Sequence, residues 1–327
     1  MSTEILNTRK GEKQSGFLKV PGCGYELPVT VVRGDGEKTA LITAGIHSAE
    51  YVGIQAAIEL AEELRPEEVS GRVIVAPLIN VSGFARRTMS MVYEDGKNLN
   101  REFPGNPEGT AADQICHAIV SEFFPEADYY VDLHSGDGYE EMCSYVYYVG
   151  AAEAEIRRQS LEMARQVEAG YLVESGCTTG GAYNYASMTG IPSVLIERGG
   201  RGLWNRKEVE LDKRDVRRIL ARLGILRRSD IPENPVKEQL VFHRVVYEHA
   251  PEGGCWYPAF RAGEWFRKGE APGEIRDSFG KPGFVCRAEE DGMILYQTVS
   301  LTVVKGGPMV AYGVCPDQLR YGFPGRI

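Results

Sequence analysis

Over roughly its first two-thirds the chain alternates between two hydrophobic rhythms. Residues 38–46 (KTALITAGI) form a short apolar run closing on glycine, and residues 51–64 (YVGIQAAIELAEEL) set their apolar positions at helical spacing. Pro66 follows, where that helix is expected to have ended. Residues 71–79 (GRVIVAPLI) read as a buried strand, and a polar, Gly- and Pro-containing loop runs from about Asn80 to Gly109. A helix (TAADQICHAIVSEFF), a strand (DYYVDL), a strand or hairpin (CSYVYYVG) and a helix across 151–169 come next. YLVES, a helix beginning near Gly181, the strand PSVLIE and a charged helix through 205–224 complete the series. Buried strands alternating with helices predict an α/β fold, a mostly parallel or mixed sheet flanked by helices.

The rhythm changes near Ser229. SDIPENP carries two prolines and reads as a linker; beyond it Gly and Pro recur every few residues and the apolar runs are short. The expected organisation is a catalytic unit over 1–228 and a smaller all-β domain over 229–327.

Composition narrows the function. With 43% apolar and 25% charged residues among 327, the chain can bury a sizeable core. Its formal charge of −9, without a basic run, argues against nucleic acid and against an anionic membrane surface as partners. No stretch approaches the roughly 20 apolar residues that span a bilayer, and the polar N-terminus lacks the apolar centre of a signal peptide. Seven scattered cysteines, never spaced C-x-x-C, argue against a disulfide framework or a cysteine zinc knuckle and suit a reducing cytoplasm.

The sharpest local feature is GIHSAE (45–50), where the first strong strand gives way to a helix. His47 and Glu50 stand three apart, so one turn can aim both at a point beyond the carboxyl end of a strand, where open α/β sheets bind ligands. Imidazole and carboxylate are both good zinc ligands, and His134 in DLHSGDG (132–138) offers a third from another strand end. Three protein ligands with one open position is the pattern of catalytic rather than structural zinc. An H-x-x-E pair alone is common by chance; the second strand-end histidine, in a chain with only five, is what raises it to a candidate site. His117 lies within a helix, and His243 and His249 lack a carboxylate at ligand spacing, so these three read as structural. The chain has no G-x-S-x-G, no P-loop, no dinucleotide fingerprint and no H-E-x-x-H.

Four segments, GIHSAEYVG (45–53), DGKNLNREFPG (95–105), DLHSG (132–136) and GIPSVLIERGG (190–200), together resemble the succinylglutamate desuccinylase/aspartoacylase family of zinc carboxypeptidase-like hydrolases. The likeness spans about residues 38–224 and is nearer to the longer bacterial and archaeal deacylases than to aspartoacylase itself. It implies one Zn2+ per chain on His47, Glu50 and His134, and a general base at Glu197. Without the resemblance, Glu197 reads as a strand-end carboxylate paired with Arg198 or Arg201. The family pattern further places Asn100 and Arg101 on a substrate carboxylate, which a guanidinium fork holds bidentately. Arg86 or Arg87, with Arg87 preferred, matches the arginine that polarises the scissile carbonyl. Arg198 departs from the pattern, which has an apolar residue there; either it alters substrate choice or it faces away from the site. Tyr183 and Tyr185 are candidates for a substrate tyrosine, although such aromatics are more often core.

Residues 266–280 and 285–296 resemble half of a lipoyl- or biotinyl-carrier β-fold, but neither Lys268 nor Lys281 sits in an acceptor motif. The expected role of this region is a wall of the active site or a homo-oligomer contact. Three functions remain: a deacylase of small anionic N-acyl amino acids, a metallocarboxypeptidase acting on peptides, and a non-catalytic metal or ligand binder. A cleft narrowed by the C-terminal region favours the first, and an open groove the second.

Overall fold

The computed structural model describes residues 4–227 and 231–316. A central mixed sheet is built from β1 (Lys13–Lys19), β2 (Glu26–Arg33), β3 (Thr39–Ala44), β4 (Arg72–Ala76) and β5 (Tyr129–His134). After the short β6 (Glu140–Met142), which pairs elsewhere, come β7 (Tyr145–Val149), β8 (Tyr171–Ser175), β9 (Ser193–Glu197) and β10 (Leu240–Phe242). The spatial order is β1-β2-β4-β3-β5-β9-β7-β8-β10. The inner pairs β4·β3, β3·β5 and β5·β9 are parallel, as the buried apolar runs predict, whereas β1·β2, β2·β4 and β7·β9 are antiparallel. The antiparallel edge comes from the N-terminal hairpin β1·β2, in which β1 is polar and mostly exposed while β2 (ELPVTVVR) carries a buried apolar run.

Helices α1 (Tyr51–Glu63), α2 (Val81–Arg86), α3 (Ala111–Ala118), α4 (Ala154–Ala164), α5 (Ala182–Met188) and α6 (Arg206–Arg222) flank the sheet. Val131, Leu133, Val194 and Ile196 pack with α1, α4 and α6 on one face; Tyr130, Tyr145 and Leu195 pack with α3, α5 and apolar residues from beyond 240 on the other. The helix expected over 110–124 runs through α3 into a π-helical turn (Ile119–Phe123), and α2 breaks the loop expected over 80–109. With six residues α2 is too short for periodicity to reveal; it forms because Asn80 Oδ1 accepts the Gly83 N–H at 3.0 Å.

Residues 228–230, at the start of the expected linker, lie outside the described residues, and the first strand after them, β10, extends the central sheet beside β8. Beyond it come β11 (Val245–His249), β12 (Gly254–Pro258), β13 (Trp265–Phe266), β14 (Gly273–Arg276), β15 (Pro282–Cys286), β16 (Gly292–Thr298), β17 (Thr302–Val303) and β18 (Pro308–Val314). They form two antiparallel sheets, β11-β18-β16-β13 and β15-β14-β12-β17, around Trp256, Phe266, Ile294 and Tyr312. β6 pairs with β16, so the segment that leaves His134 is stitched into the C-terminal sheet.

Candidate active site

His47 and Glu50 lie in the turn between β3 and α1, and His134 closes β5. Gly45 opens that turn at φ +68°, a conformation glycine adopts without steric cost. Helix α1 then approaches β5 so closely at Gly53 that a Cβ there would lie 2.9 Å from the Leu133 carbonyl oxygen. Glu50 occupies the N-cap of α1 but makes no capping hydrogen bond. A Ser or Asp cap is worth about 1 kcal/mol, less than full burial of any one of Val52 or Leu60 at about 1.5–3 kcal/mol each. Core packing therefore holds the helix and leaves the carboxylate available to the site.

The ligand atoms of His47, Glu50 and His134 lie within 4.8 Å of one another. His47 Nδ1 is 2.7 Å from Glu50 Oε1 and His134 Nδ1 is 2.8 Å from Glu50 Oε2, with the two rings edge to face. Behind His47, Nε2 lies 2.9 Å from Asn98 Oδ1, which also accepts the Asn100 N–H. That oxygen is thus an acceptor, so His47 Nε2 donates and Nδ1 is the nitrogen that faces the carboxylate. A ring nitrogen and a carboxylate oxygen at 2.7 Å need a proton or a cation shared between them. Behind His134, Nε2 lies 3.1 Å from Asp132 Oδ2, a charge contact without the alignment of a hydrogen bond, and Asp132 Oδ1 accepts a hydrogen bond from Thr43. A carboxylate behind a ligating histidine is the usual outer support of a zinc site. The donor set and its backing fit a divalent metal.

Charge in the cluster follows the same logic. Burial opposes ionisation of Glu50, but His47 and His134 override it and hold the carboxyl down at about 2. Burial likewise opposes a charged His134, yet Asp132 and Glu50 raise it well above the usual imidazole range. The carboxylates at this point attract positive charge.

Glu197 ends β9 in direct register with His134 on β5, and Tyr145 on β7 is its register partner on the other side. The three therefore share one face. Glu197 Oε2 and the Tyr145 hydroxyl are both buried without a hydrogen-bond partner among the described residues. Burial, with Glu50, Glu140 and Asp132 adding to it, raises Glu197 well above the usual carboxylate range, while His134 pulls the other way. A divalent cation alongside acts in the same sense as His134. The pairing of Glu197 with Arg198 or Arg201 does not occur: Arg201 pairs with Glu141, and Arg198 turns to the opposite face. There Arg198 is 1% exposed and donates to Asp212 at 2.8 Å, Asp215 at 2.7 Å and the Glu168 carbonyl at 3.0 Å.

The other expected residues are placed less uniformly. Asn100 and Arg101 form a 3-10 turn, Leu99–Arg101. Asn100 Oδ1 accepts the Ala182 N–H at 3.1 Å, which ties the turn to the start of α5. Arg101 is exposed, donates to the Asn100 carbonyl at 2.7 Å, and contributes positive potential at Glu140 and Tyr296. Arg86 lies 5.0 Å over the Tyr93 ring, and Arg87, at φ 57°, caps α2; both are exposed. Tyr183 is buried against Tyr147, and Tyr185 packs partly buried against the same core. His117 lies in α3, His243 is exposed and pairs with Glu174 at 2.5 Å, and His249 contacts the Tyr247 carbonyl.

Sequence reasoning missed Glu140, Tyr145 and Tyr296. Tyr145 and Tyr147 alternate in SYVYYV and so share a face, a pattern that was legible. Tyr296 and Tyr247 come from strands far along the chain; Tyr247 meets Tyr147 hydroxyl to hydroxyl at 3.2 Å, and both lie within electrostatic reach of Glu197.

Residues 36–223 match the succinylglutamate desuccinylase/aspartoacylase catalytic domain. The N-alpha-acetyl-L-2,4-diaminobutyric acid deacetylase of Halomonas elongata is 32% identical over 263 residues, 76% of this chain and 73% of that protein. Among solved structures, the product-bound ectoine utilization protein EutE (DoeB) from Ruegeria pomeroyi superposes with a TM-score of 0.85 at 26% identity, covering 94% of this chain and 97% of the other. A succinylglutamate desuccinylase/aspartoacylase from Rhodobacter sphaeroides gives 0.82 at 29% identity, with the same coverage. The converging imidazoles, the carboxylate in register beside them and these likenesses have one explanation: the chain belongs to the succinylglutamate desuccinylase/aspartoacylase family.

Proposed function

We propose that this member of a deacylase family is a zinc-dependent hydrolase that cleaves the amide bond of a small N-acylated amino acid. The observation that carries the reading is the register of β5 and β9, which sets Glu197, one oxygen of which has no partner among the described residues, beside the His47–Glu50–His134 cluster. A zinc ion held by those three side chains supplies Lewis acidity and brings the pKa of a water to about 7. Glu197 takes the proton of the attacking water as the C–O bond forms, and delivers it to the amine nitrogen as the C–N bond breaks. Arg101, with the Asn100 amide, holds the substrate carboxylate, and Arg87 stabilises the developing oxyanion, with Arg86 the neighbouring alternative. Tyr183 lies deeper, behind Tyr147, and supports the wall. The stitching of β6 to β16, with Tyr247 and Tyr296 near Glu197, supports a narrowed cleft suited to a small substrate over a peptide groove.

The test is metal content by elemental analysis alongside a panel of N-acyl amino acids, including an N-acetylated diamino acid because the Halomonas elongata relative is named for one. About one zinc per chain with turnover of a panel member is the expected result, and His134→Ala loses zinc and turnover together. Stoichiometric zinc retained in His134→Ala removes the site assignment.

A further inference from the structure

One carboxamide oxygen joins the two halves of the candidate site. Asn98 Oδ1 lies 2.9 Å from His47 Nε2 and 2.9 Å from the Asn100 backbone nitrogen. A backbone N–H can only donate, so the side-chain atom that meets it is the amide oxygen and not the amide nitrogen. The imidazole nitrogen that meets the same oxygen must then carry the proton, which leaves His47 Nδ1 for Glu50 and a metal. The other contact caps the 3-10 turn Leu99–Arg101. A single atom thus touches a metal-binding imidazole and the turn that carries Asn100 and Arg101.

The surroundings hold that atom in place from both sides. Asn98 closes a short hairpin, bridging to Met91, in which the Val92 N–H donates to the Lys97 carbonyl at 2.9 Å. Asp95 accepts the Lys97 N–H at 3.0 Å and, through its other oxygen, the Ala112 N–H at 2.8 Å. The Lys97 ammonium pairs with Asp113 at 2.7 Å, so the hairpin is tied to the first turn of α3. On the far side Asn100 Oδ1 accepts the Ala182 N–H at 3.1 Å, and Phe103 and Gly180 exchange two backbone hydrogen bonds at 3.1 Å. The two histidines are backed differently. His134 has a carboxylate behind it from its own strand, Asp132, whereas His47 depends on a neutral amide from a segment 51 residues further along. Capping the turn requires only the Asn100 contact; it does not account for the contact with His47.

We infer that Asn98 is a positioning residue whose carboxamide oxygen sets the His47 ring for the metal and the Asn100–Arg101 turn for the substrate carboxylate at once. This rests on the zinc hydrolase reading and deepens it. Asn98 acts through His47 and through the turn, not on the reacting atoms. A group that holds the second nitrogen of a ligating histidine fixes both its tautomer and its ring orientation, and losing it typically costs about 10–100-fold in metal affinity. Because both contacts fall on one atom, a change at Asn98 should disturb metal binding and carboxylate binding together, and the two can be separated only by a side chain that keeps one contact and drops the other.

Three variants make that separation. Asn98→Asp keeps an acceptor for both contacts. Asn98→Ser keeps an oxygen that caps the turn but is one bond too short to reach His47 as well. Asn98→Leu has similar size and no acceptor. The zinc dissociation constant is measured by competition with a chromophoric chelator, the Tm on metal-free protein, and kcat and KM on zinc-saturated protein with the N-acyl amino acid that the wild type hydrolyses fastest. Asn98→Ser and Asn98→Leu are expected to bind zinc about tenfold or more weakly, and Asn98→Asp to bind it as tightly as the wild type or tighter. KM should rise only in Asn98→Leu, by about fivefold, the size of one hydrogen bond. The metal-free Tm of Asn98→Ser should stay close to that of the wild type. If Asn98→Leu does not fold, the contrast between Asn98→Ser and Asn98→Asp carries the test. Unchanged zinc affinity in Asn98→Ser, or equal losses in Asn98→Ser and Asn98→Asp, overturns the inference. So does a metal-free Tm that falls in step with the loss of zinc, which would make Asn98 a structural residue only. In each of these cases a zinc-loaded, active wild type leaves the hydrolase reading standing, whereas a wild type that takes up no zinc fails that reading and the inference with it.

Discussion

Glu197 and Arg198 are neighbours at the end of one strand, yet they belong to opposite kinds of interior. Glu197 faces the cleft with an oxygen that no donor among the described residues reaches. Arg198, on the helix side, is held by two carboxylates and a carbonyl, and Asp215 in turn accepts from Arg218, which also pairs with Glu168. Both faces bury ionisable groups, and only on the second does the strand-end residue find charged partners. A paired network of this kind fixes a strand end against α6, whereas an incompletely paired carboxyl keeps a raised pKa suited to moving protons. Arg198 therefore belongs to the helix side of the sheet and not to the cleft.

The largest effect should come from the cleft side. Glu197→Gln is expected to lower kcat by about 10²–10⁴, with bound metal retained and Tm equal or higher, because the variant removes a proton acceptor and no structural partner. Near-normal kcat would place the base on another group.

On the helix side the balance should invert. Arg198→Met leaves Asp212 and Asp215 facing each other without their shared cation, and a cost of about 3–5 kcal/mol in unfolding free energy is expected from denaturant melts. Turnover per folded, metal-loaded molecule should fall far less than in Glu197→Gln. Equal losses of turnover in the two variants would abolish the division drawn between the faces.

The third expected effect is a pH dependence on the same helix side, comparable in size when summed over its window. Burial raises the Asp212 carboxyl from 3.8 to about 7, partly opposed by Arg198, and its Oδ2 has no hydrogen-bond partner among the described residues. Because the folded pKa lies above the unfolded one, this group's contribution to stability is fully present below about pH 4 and is lost as pH rises through about 7. Asp212→Asn should flatten the stability profile between those values by up to about 1.4 kcal/mol per pH unit, read as a wild-type-minus-variant difference in urea melts. A difference that does not change across this window would mean that Asp212 stays ionised.

Much of the fold was readable in residue order. The inner strands β3, β4, β5 and β9 and helices α1 and α6 follow from apolar rhythm, because burial on both faces of a strand or one stripe of a helix demands it. The polar edge strand β1 and the three-residue β6 escaped, since edge strands and very short ones are made by their neighbours rather than by their own composition, whereas β2 carries a buried apolar run that its sequence does show. Within the site, His47, Glu50 and His134 stood out as ligand types at two strand ends, and the geometry brings them together.

Residue order decided which chemistry-bearing groups the strand ends carry: an imidazole and a carboxylate after β3, an imidazole on β5, a carboxylate on β9. Only the folded arrangement decided which of the charged groups would be paired. Arg198 finds Asp212 and Asp215 across the helix side, Arg201 finds Glu141, and Glu197 is left with an oxygen that has no partner among the described residues. The reason is physical: identity and period are local properties of a chain. The cost of a buried charge depends on the few ångströms around it, and those are filled by segments tens to hundreds of residues away.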